Sequence, residues 1–483
     1  MTVFLGVDLG SGGARAVAIT GQAEILATAS IPFAKRGVEG LVENDWEQDP
    51  ETWWNAVLEA LETLSAQMDP EARKQVVGLG LCSTSGTLLL LDEDRRPVRP
   101  AIMYSDGRAK DQVKKANDAA WRTIKKVGIR FGPSYALPKL LWIKENEPHH
   151  FERGCLVAHA ADYIVGRLTD VWGVSDFNNA LKTGYNVVER RWPAYLTARL
   201  KIPRQMLPKV VAPGECLGNM KQEWVRKLDF PKEVRVVAGT TDGVAGLLAS
   251  GASVPGEWCS TLGTTLVVKG IQEERLRDPE GRFYCHLHPQ GWWLPGGASN
   301  VGGECLEVKF EGKNWAELDN EVERWVPTDM VIYPLIREGE RLPFKNPEAV
   351  GFMAGKATCD AHLFAGYLEG VALVERWTYD LLNELECPIG ERIFVSGGGA
   401  RSLPWLKIRA SVLKKTLVRT QYPEACLGGA ILANSSFQGG DLSSACRSLA
   451  RVVEEIPPDP ELSHEYGKRY TKLRKACDAI GYG

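Results

Sequence analysis

Apolar residues along this chain come in short runs broken by glycine-rich turns, then in longer stretches with helical spacing. The opening segment, Phe4 to Thr20, reads as strand, turn, strand, because apolar runs flank Gly10-Ser-Gly-Gly13, a cluster that only a tight turn needs. Asp8 then lies at the end of a strand beside the turn. Asp49-Pro50-Glu51 supplies an N-cap and a first-turn proline, and Trp53, Trp54, Val57, Leu58, Leu61 and Leu64 follow at helical spacing. Val76–Cys82 and Leu88–Asp92 read as strands around Ser83-Thr-Ser-Gly-Thr87. That alternation predicts an α/β domain.

From Ala116 to about Leu228 the pattern is more helical, most clearly over Leu137–Asn146 and Ala160–Leu168. A second glycine-rich cycle begins at Val234-Arg-Val-Val-Ala-Gly-Thr-Thr-Asp-Gly243. It continues through Trp258–Lys269, again strand, Gly-Ser/Thr turn, strand. The likeness of Asp8-Leu-Gly-Ser-Gly to Thr261-Leu-Gly-Thr-Thr suggests two domains on one plan. The expected division is 1–246, 247–440 and a charged, helical extension, 441–483, packed on the second domain.

Length agrees with that division, since 483 residues exceed what one hydrophobic core usually organises. Hydrophobic residues at 44% and charged residues at 25% are ordinary globular usage. The net charge of -3 offers no basic field for nucleic acid or anionic lipid, so small-molecule partners are expected. No window approaches the roughly 20 apolar residues of a membrane helix, and no signal peptide precedes the first strand. A cytoplasmic protein, monomer or homodimer, is the expectation. The eleven cysteines are scattered and never spaced Cys-x-x-Cys, which reads as buried thiols of a reducing compartment. His286 and His288 read as strand residues rather than zinc ligands.

The Walker A pattern is absent, and Gly78-Leu-Gly80-Leu-Cys-Ser83 lacks the third glycine of a dinucleotide fingerprint. What remains is three separated turns: Gly10 to Gly13, Gly263 to Thr265, and Gly397 to Ala400. One alone is an ordinary turn. Together they suit polyphosphate, which needs convergent backbone N–H groups with no side chain in the way.

Five ordered motifs carry a resemblance. Asp8-x-Gly10-Ser11-x-x-x-Arg15, Gly239-Thr-Thr-Asp242, Ser260-Thr-Leu-Gly263-Thr264-Thr265, Ser396-Gly-Gly-Gly-Ala400 and Gly428-Gly-Ala-Ile-Leu-Ala433 occur in the order seen in the FGGY carbohydrate kinases. That family shares its fold with actin, hexokinase and Hsp70. Ser83–Thr87, Tyr104-Ser-Asp106, Val174–Tyr185 and Gly296–Gly303 further resemble its D-ribulokinase branch of cyanobacteria and plants, often labelled xylulokinase.

The resemblance implies two actin-like (ribonuclease H-like) α/β domains flanking a deep cleft, with ATP and Mg²⁺ as cofactors and D-ribulose as acceptor. D-xylulose is the alternative. It casts Asp242 as catalytic base and Asp8 as the carboxylate that orients hydrated Mg²⁺. Gly10, Ser11, Gly12 and Arg15 match a first phosphate turn, and Gly263, Thr264 and Thr265 a second. Gly397, Gly398, Gly399 and Ala400 match the turn under adenine and ribose. Ser402 stands where the family commonly has Asn, which bears on nucleotide selectivity. Ser85 and Asp106 lie at strand-to-loop transitions and are the expected sugar contacts. The stretch holding Asn178, Asn179 and Lys182 is exposed-looking, and these polar residues could equally cap helices. The base has a chemical rationale of its own: a loose phosphoryl-transfer transition state asks only for a carboxylate that aligns the hydroxyl and takes its proton late. The other readings are an Asp-Gly turn for Asp242 and a turn-bonding strand-end carboxylate for Asp8. A chaperone-like or cytoskeletal ATPase of the same superfamily is the rival function.

Overall fold

The fold is described from a computed structural model over residues 1–33 and 46–483. Two compact units emerge. Unit 1 is Met1–Ala249 with His286–Gly291 and Glu424–Ala450, and unit 2 is Ser250–Cys285, Trp292–Pro423 and Arg451–Gly483.

Unit 1 is built on a seven-stranded sheet. Its strands are β1 (Val3–Leu9), β2 (Gly13–Thr20), β3 (Ile25–Pro32), β4 (Val76–Ser83), β5 (Cys216–Asn219), β6 (Arg235–Val237) and β7 (Thr240–Thr241). The order is β5-β6-β4-β1-β2-β3, with β7 also on β4. Every residue of β1 is buried, as a central strand covered on both faces requires. On one side β1 pairs antiparallel with β2, setting Asp8 opposite Arg15. On the other it runs parallel to β4, with Asp8 opposite Cys82, and β7 joins the far side of β4 in parallel with Thr240 opposite the same Cys82.

Helix Pro50–Gln67 starts as its sequence predicts: the Asp49 side chain accepts from Glu51 N–H, and Trp53, Trp54, Val57, Leu61 and Leu64 are buried. Leu58 is only partly so. Helix Ala425–Phe437 lies on the sheet at glycines. A Cβ on Gly6 would stand 1.8 Å from the Cys426 carbonyl oxygen, and one on Gly80 2.0 Å from that of Gly429. A Cβ on Gly428 would likewise stand 2.2 Å from the carbonyl oxygen of Ala245 in helix Asp242–Ala249. Backbone meets backbone only where no Cβ intervenes.

The compact units follow that packing rather than the linear order of the chain. By compactness Glu424–Ala450 groups with unit 1, and of the expected extension Arg451–Gly483 groups with unit 2. The first division falls after helix Asp242–Ala249 rather than within it at 246. The last segment also includes a strand, Val452–Ile456, before the long helix Pro460–Ala479.

The second seven-stranded sheet lies in unit 2 apart from the last two residues of β10: β8 (Trp258–Leu262), β9 (Leu266–Gly270), β10 (Tyr284–Leu287), β11 (Trp293–Ala298), β12 (Arg392–Ser396), β13 (Thr416–Thr420) and β14 (Val452–Ile456). The order is β10-β11-β9-β8-β12-β13-β14, and β8, β12 and β13 run parallel. Among the described residues no helix is long and apolar enough to cross a membrane. Eight cysteines are buried, whereas Cys216 and Cys359 are exposed and Cys155 lies between; the expectation of buried thiols fails at those three.

Candidate active site

In open α/β sheets, the carboxyl ends of parallel strands are where ligands meet the chain. In unit 1, β1, β4 and β7 end side by side, and their ends carry Asp8, Ser83 and, directly after β7, Asp242. Asp8 is 7% exposed. Burial first, and then the charge of Asp242, push its pKa up to about 6. The Cys82 thiol donates to Asp8 Oδ1 at 3.4 Å, and Arg15 opposes the rise while Glu424 adds to it. Arg15 and Glu424 face each other at 3.8 Å with both side chains well exposed, a pair worth little in stability but available to a ligand.

Asp242 opens helix Asp242–Ala249 and is exposed; its Oδ1 accepts from Gly243 N–H at 2.7 Å. The turn between β1 and β2 closes through Gly10 N–H to the Gly13 carbonyl at 3.0 Å. A Cβ on Gly12 would meet nothing, and one on Gly10 only the Gly13 carbonyl oxygen at 3.6 Å, so the space over this turn is open. Ser11 is exposed, and its carbonyl accepts from Gln48 Nε2.

Unit 2 brings the other two turns together. β8 and β12 run in parallel register with Thr261 opposite Ser396, and the two hydroxyls bond at 2.7 Å. Gly263–Thr265 leaves the end of β8, and Gly397–Ala400 that of β12. Gly397 has φ +80, and a Cβ there would lie 2.5 Å from the Leu262 carbonyl oxygen, so only glycine fits. Gly399 packs on the Leu262 side chain, whereas Gly263 and Gly398 face open space. Thr264 is exposed, Thr265 partly so, and Ala400 buried. Ser402 caps helix Leu403–Leu413: its hydroxyl accepts from Trp405 N–H at 3.1 Å and donates to Asp319 at 2.6 Å.

The two expected sugar contacts have different surroundings. Ser85 sits half-buried in the loop after β4, which Gly86 turns with φ +90. Asp106 is buried, and its carboxylate accepts from the backbone of Trp46 and Arg108 and from the Arg108 guanidinium, at 2.6 to 3.0 Å. Arg108 reaches on to Glu47, which also pairs with Arg99. These bonds use the acceptor positions of Asp106.

Sequence reasoning misplaced the stretch after Val174. Asn178 and Asn179 are fully buried, and Asp176 is the cap, accepting from both of their backbone N–H groups. Asn178 ties the segment to Thr240, two residues before Asp242, and to Leu287 at both its N–H and carbonyl. Lys182 is largely buried too. Its Nζ reaches the Ser85 carbonyl at 3.4 Å and interacts with the Asp242 charge. Their polarity suggested a solvated face; only the three-dimensional neighbours reveal otherwise. His286 is a strand residue as expected, with His288 just beyond, and both are buried.

Each unit thus ends parallel strands of an α/β sheet on open glycine turns, an arrangement that suits polyphosphate. The N-terminal domain of the FGGY family of carbohydrate kinases matches residues 3–249 and its C-terminal domain residues 236–437. This chain belongs to that family. A xylulose kinase of Escherichia coli (strain K12) is 28% identical, covering 98% of each chain. A gluconokinase of Bacillus licheniformis is 24% identical over 96% of this chain and 93% of its own. The crystal structure of a xylulose kinase from Rhodospirillum rubrum superposes with a TM-score of 0.86 at 26% identity, covering 99% of each chain.

The protein is therefore an ATP-dependent sugar kinase that uses ATP with Mg²⁺. The residues fit those cofactors. No group of three or more His, Cys, Asp or Glu among the described residues forms a metal cage, and a cation that keeps its own waters needs none. A buried carboxylate with a raised pKa and two further carboxylates nearby is a site that a cation relieves.

Proposed function

We propose that this kinase transfers the ATP γ-phosphoryl group to the terminal hydroxyl of a ketopentose, with Asp242 as the base. The observation that carries the reading is the exposed Asp242 carboxylate, at a parallel strand end beside buried Asp8. ATP supplies the phosphoryl group, and Mg²⁺ offsets its charge. Asp242 aligns the acceptor hydroxyl and takes its proton as the oxygen–phosphorus bond forms and the bond to the ADP oxygen breaks. Asp8 holds the hydrated cation. Gly10, Ser11, Gly12 and Arg15, with Gly263, Thr264 and Thr265, contact phosphates. Gly397–Ala400 lies under the nucleoside. Ser402 acts on that turn through its cap, and Asp106 acts as a strut that holds the backbone of Trp46 and Arg108.

D-Xylulose is the acceptor that the two named xylulose kinases support. D-Ribulose is the second reading, favoured by Ser83–Thr87 and Val174–Tyr185. The two ketoses differ in configuration at C3, so discrimination falls to groups reaching the middle of the sugar, Ser85 among them. A site built to bond a hydroxyl rejects a misplaced one because its own polar groups stay unpaired. Competing the ketoses at equal concentration and comparing kcat/KM decides between them. Turnover with neither, but with gluconate, would overturn the ketopentose reading.

A further inference from the structure

Two lysines lie under the loop that carries Ser85, and they are not equivalent. Lys139 is fully buried and its ammonium bonds the Gly86 and Ser134 carbonyls at 3.1 and 3.2 Å. It holds the loop. The Lys182 ammonium makes a single hydrogen bond among the described residues, to the Ser85 carbonyl at 3.4 Å, which is longer than an ordinary N–H···O bond of about 2.7 to 3.2 Å. Its Nζ lies 5.2 Å over the Tyr135 ring, and its charge meets that of Asp242. An ammonium has three donors, so N–H groups remain for an acceptor that the protein does not supply.

The position is also fixed. Lys182 directly follows helix Phe177–Leu181, capped by Asp176 and pinned through Asn178 to Thr240. A donor held this way is pre-organised rather than recruited. We propose that Lys182 is an acceptor-binding residue, its ammonium donating to a carbonyl or hydroxyl oxygen of the sugar between Ser85 and Asp242. The inference rests on the reading of unit 1 as the acceptor site. Burial pushes the Lys182 pKa down to about 8, against the pull of Asp242. An ammonium stripped of water gains by meeting a new oxygen, and a neutral polyol brings one without a second charge.

Lys182→Met and Lys182→Gln test the role, with titration calorimetry of D-xylulose, D-ribulose and ATP beside ADP release. The methionine variant should weaken ketopentose binding about tenfold or more, the scale of one charged hydrogen bond, and raise the sugar KM. ATP affinity should stay within twofold, and the glutamine variant should recover part of the loss. Sugar affinity of Lys182→Met within twofold of the parent overturns the proposal. A parent chain that turns over no ketopentose overturns the acceptor-site reading and this inference with it, whereas parent turnover with an unchanged variant overturns Lys182 alone. Should the variants not fold, the parent gives a second reading: its ketopentose affinity should fall between pH 7.5 and 9.5 as the ammonium loses its proton. Asp242, Lys139, His159 and Tyr135 are the charged or titratable groups facing Lys182. Lys139 and His159 titrate at about 7 and about 4, below that window, and a flat profile overturns the proposal.

Discussion

Unit 1 and unit 2 end parallel strands on glycine-rich turns in the same way, yet they equip those ends differently. Unit 1 sets charges there: Asp8, Asp242, Glu424, Arg15 and Lys182. Unit 2 sets open backbone and hydroxyls: Gly263, Gly398, and the Thr261–Ser396 bond beneath them. The difference separates chemistry from grip. Side-chain charge moves protons and orients a cation, whereas backbone N–H groups bind polyphosphate with no protonation state to manage. Substitutions of the unit 1 carboxylates should therefore strike turnover, and those in the unit 2 turns nucleotide affinity.

The largest effect belongs to Asp242→Ala. Sugar-dependent ADP formation should fall by about 10² to 10⁴ while ATP still binds, as calorimetry and a coupled assay would show. Retention of most of the parent turnover would remove Asp242 as base.

Asp8→Asn should reduce turnover next most strongly and, in the absence of ligand, raise stability. Between pH 3.8 and about 6 the folded state holds the Asp8 proton and the unfolded state does not. Stability therefore falls as pH rises through that window, and above it the buried charge costs up to about 3 kcal/mol. The asparagine variant should melt above the parent at pH 7.5, the gap closing towards pH 4. Equal melting temperatures at pH 7.5 would show that Asp8 carries no such burden.

In unit 2, Gly398→Ala and Gly397→Ala should part company. Gly398 has open space around it, so its variant should melt like the parent and show a higher KM for ATP. Gly397→Ala forces a side chain into a left-handed backbone against Leu262, a strain of about 1 to 3 kcal/mol, visible as a lowered Tm. The smallest effect is Ser402→Ala, a lost helix cap worth about 1 kcal/mol. ATP selectivity that changed more than stability would give Ser402 a direct nucleotide contact.

The strands and turns were legible because their signals are local. Asp49 capping a helix, Asp8 ending β1, and the strand-turn-strand of Trp258–Lys269 all follow from neighbours within a few residues. The membership of helix Ala425–Phe437 in unit 1 was not legible, since it depends on Gly429 meeting Gly80 across most of the chain. The site divides the same way. Asp8 and Asp242 stand at strand ends that the pattern predicts. Lys182 and Asn178 look like surface residues until β7 and the Ser85 loop close around them. Asp106 looks like a free carboxylate until Arg108 folds back upon it.

ADP release by the parent chain, with saturating ATP and Mg²⁺ and with or without a ketopentose, tests the central claim most directly. Release that requires the sugar, and yields one sugar phosphate per ADP, is the predicted result. ADP formed at the same rate with no sugar present would contradict it and point to an ATPase of the same fold.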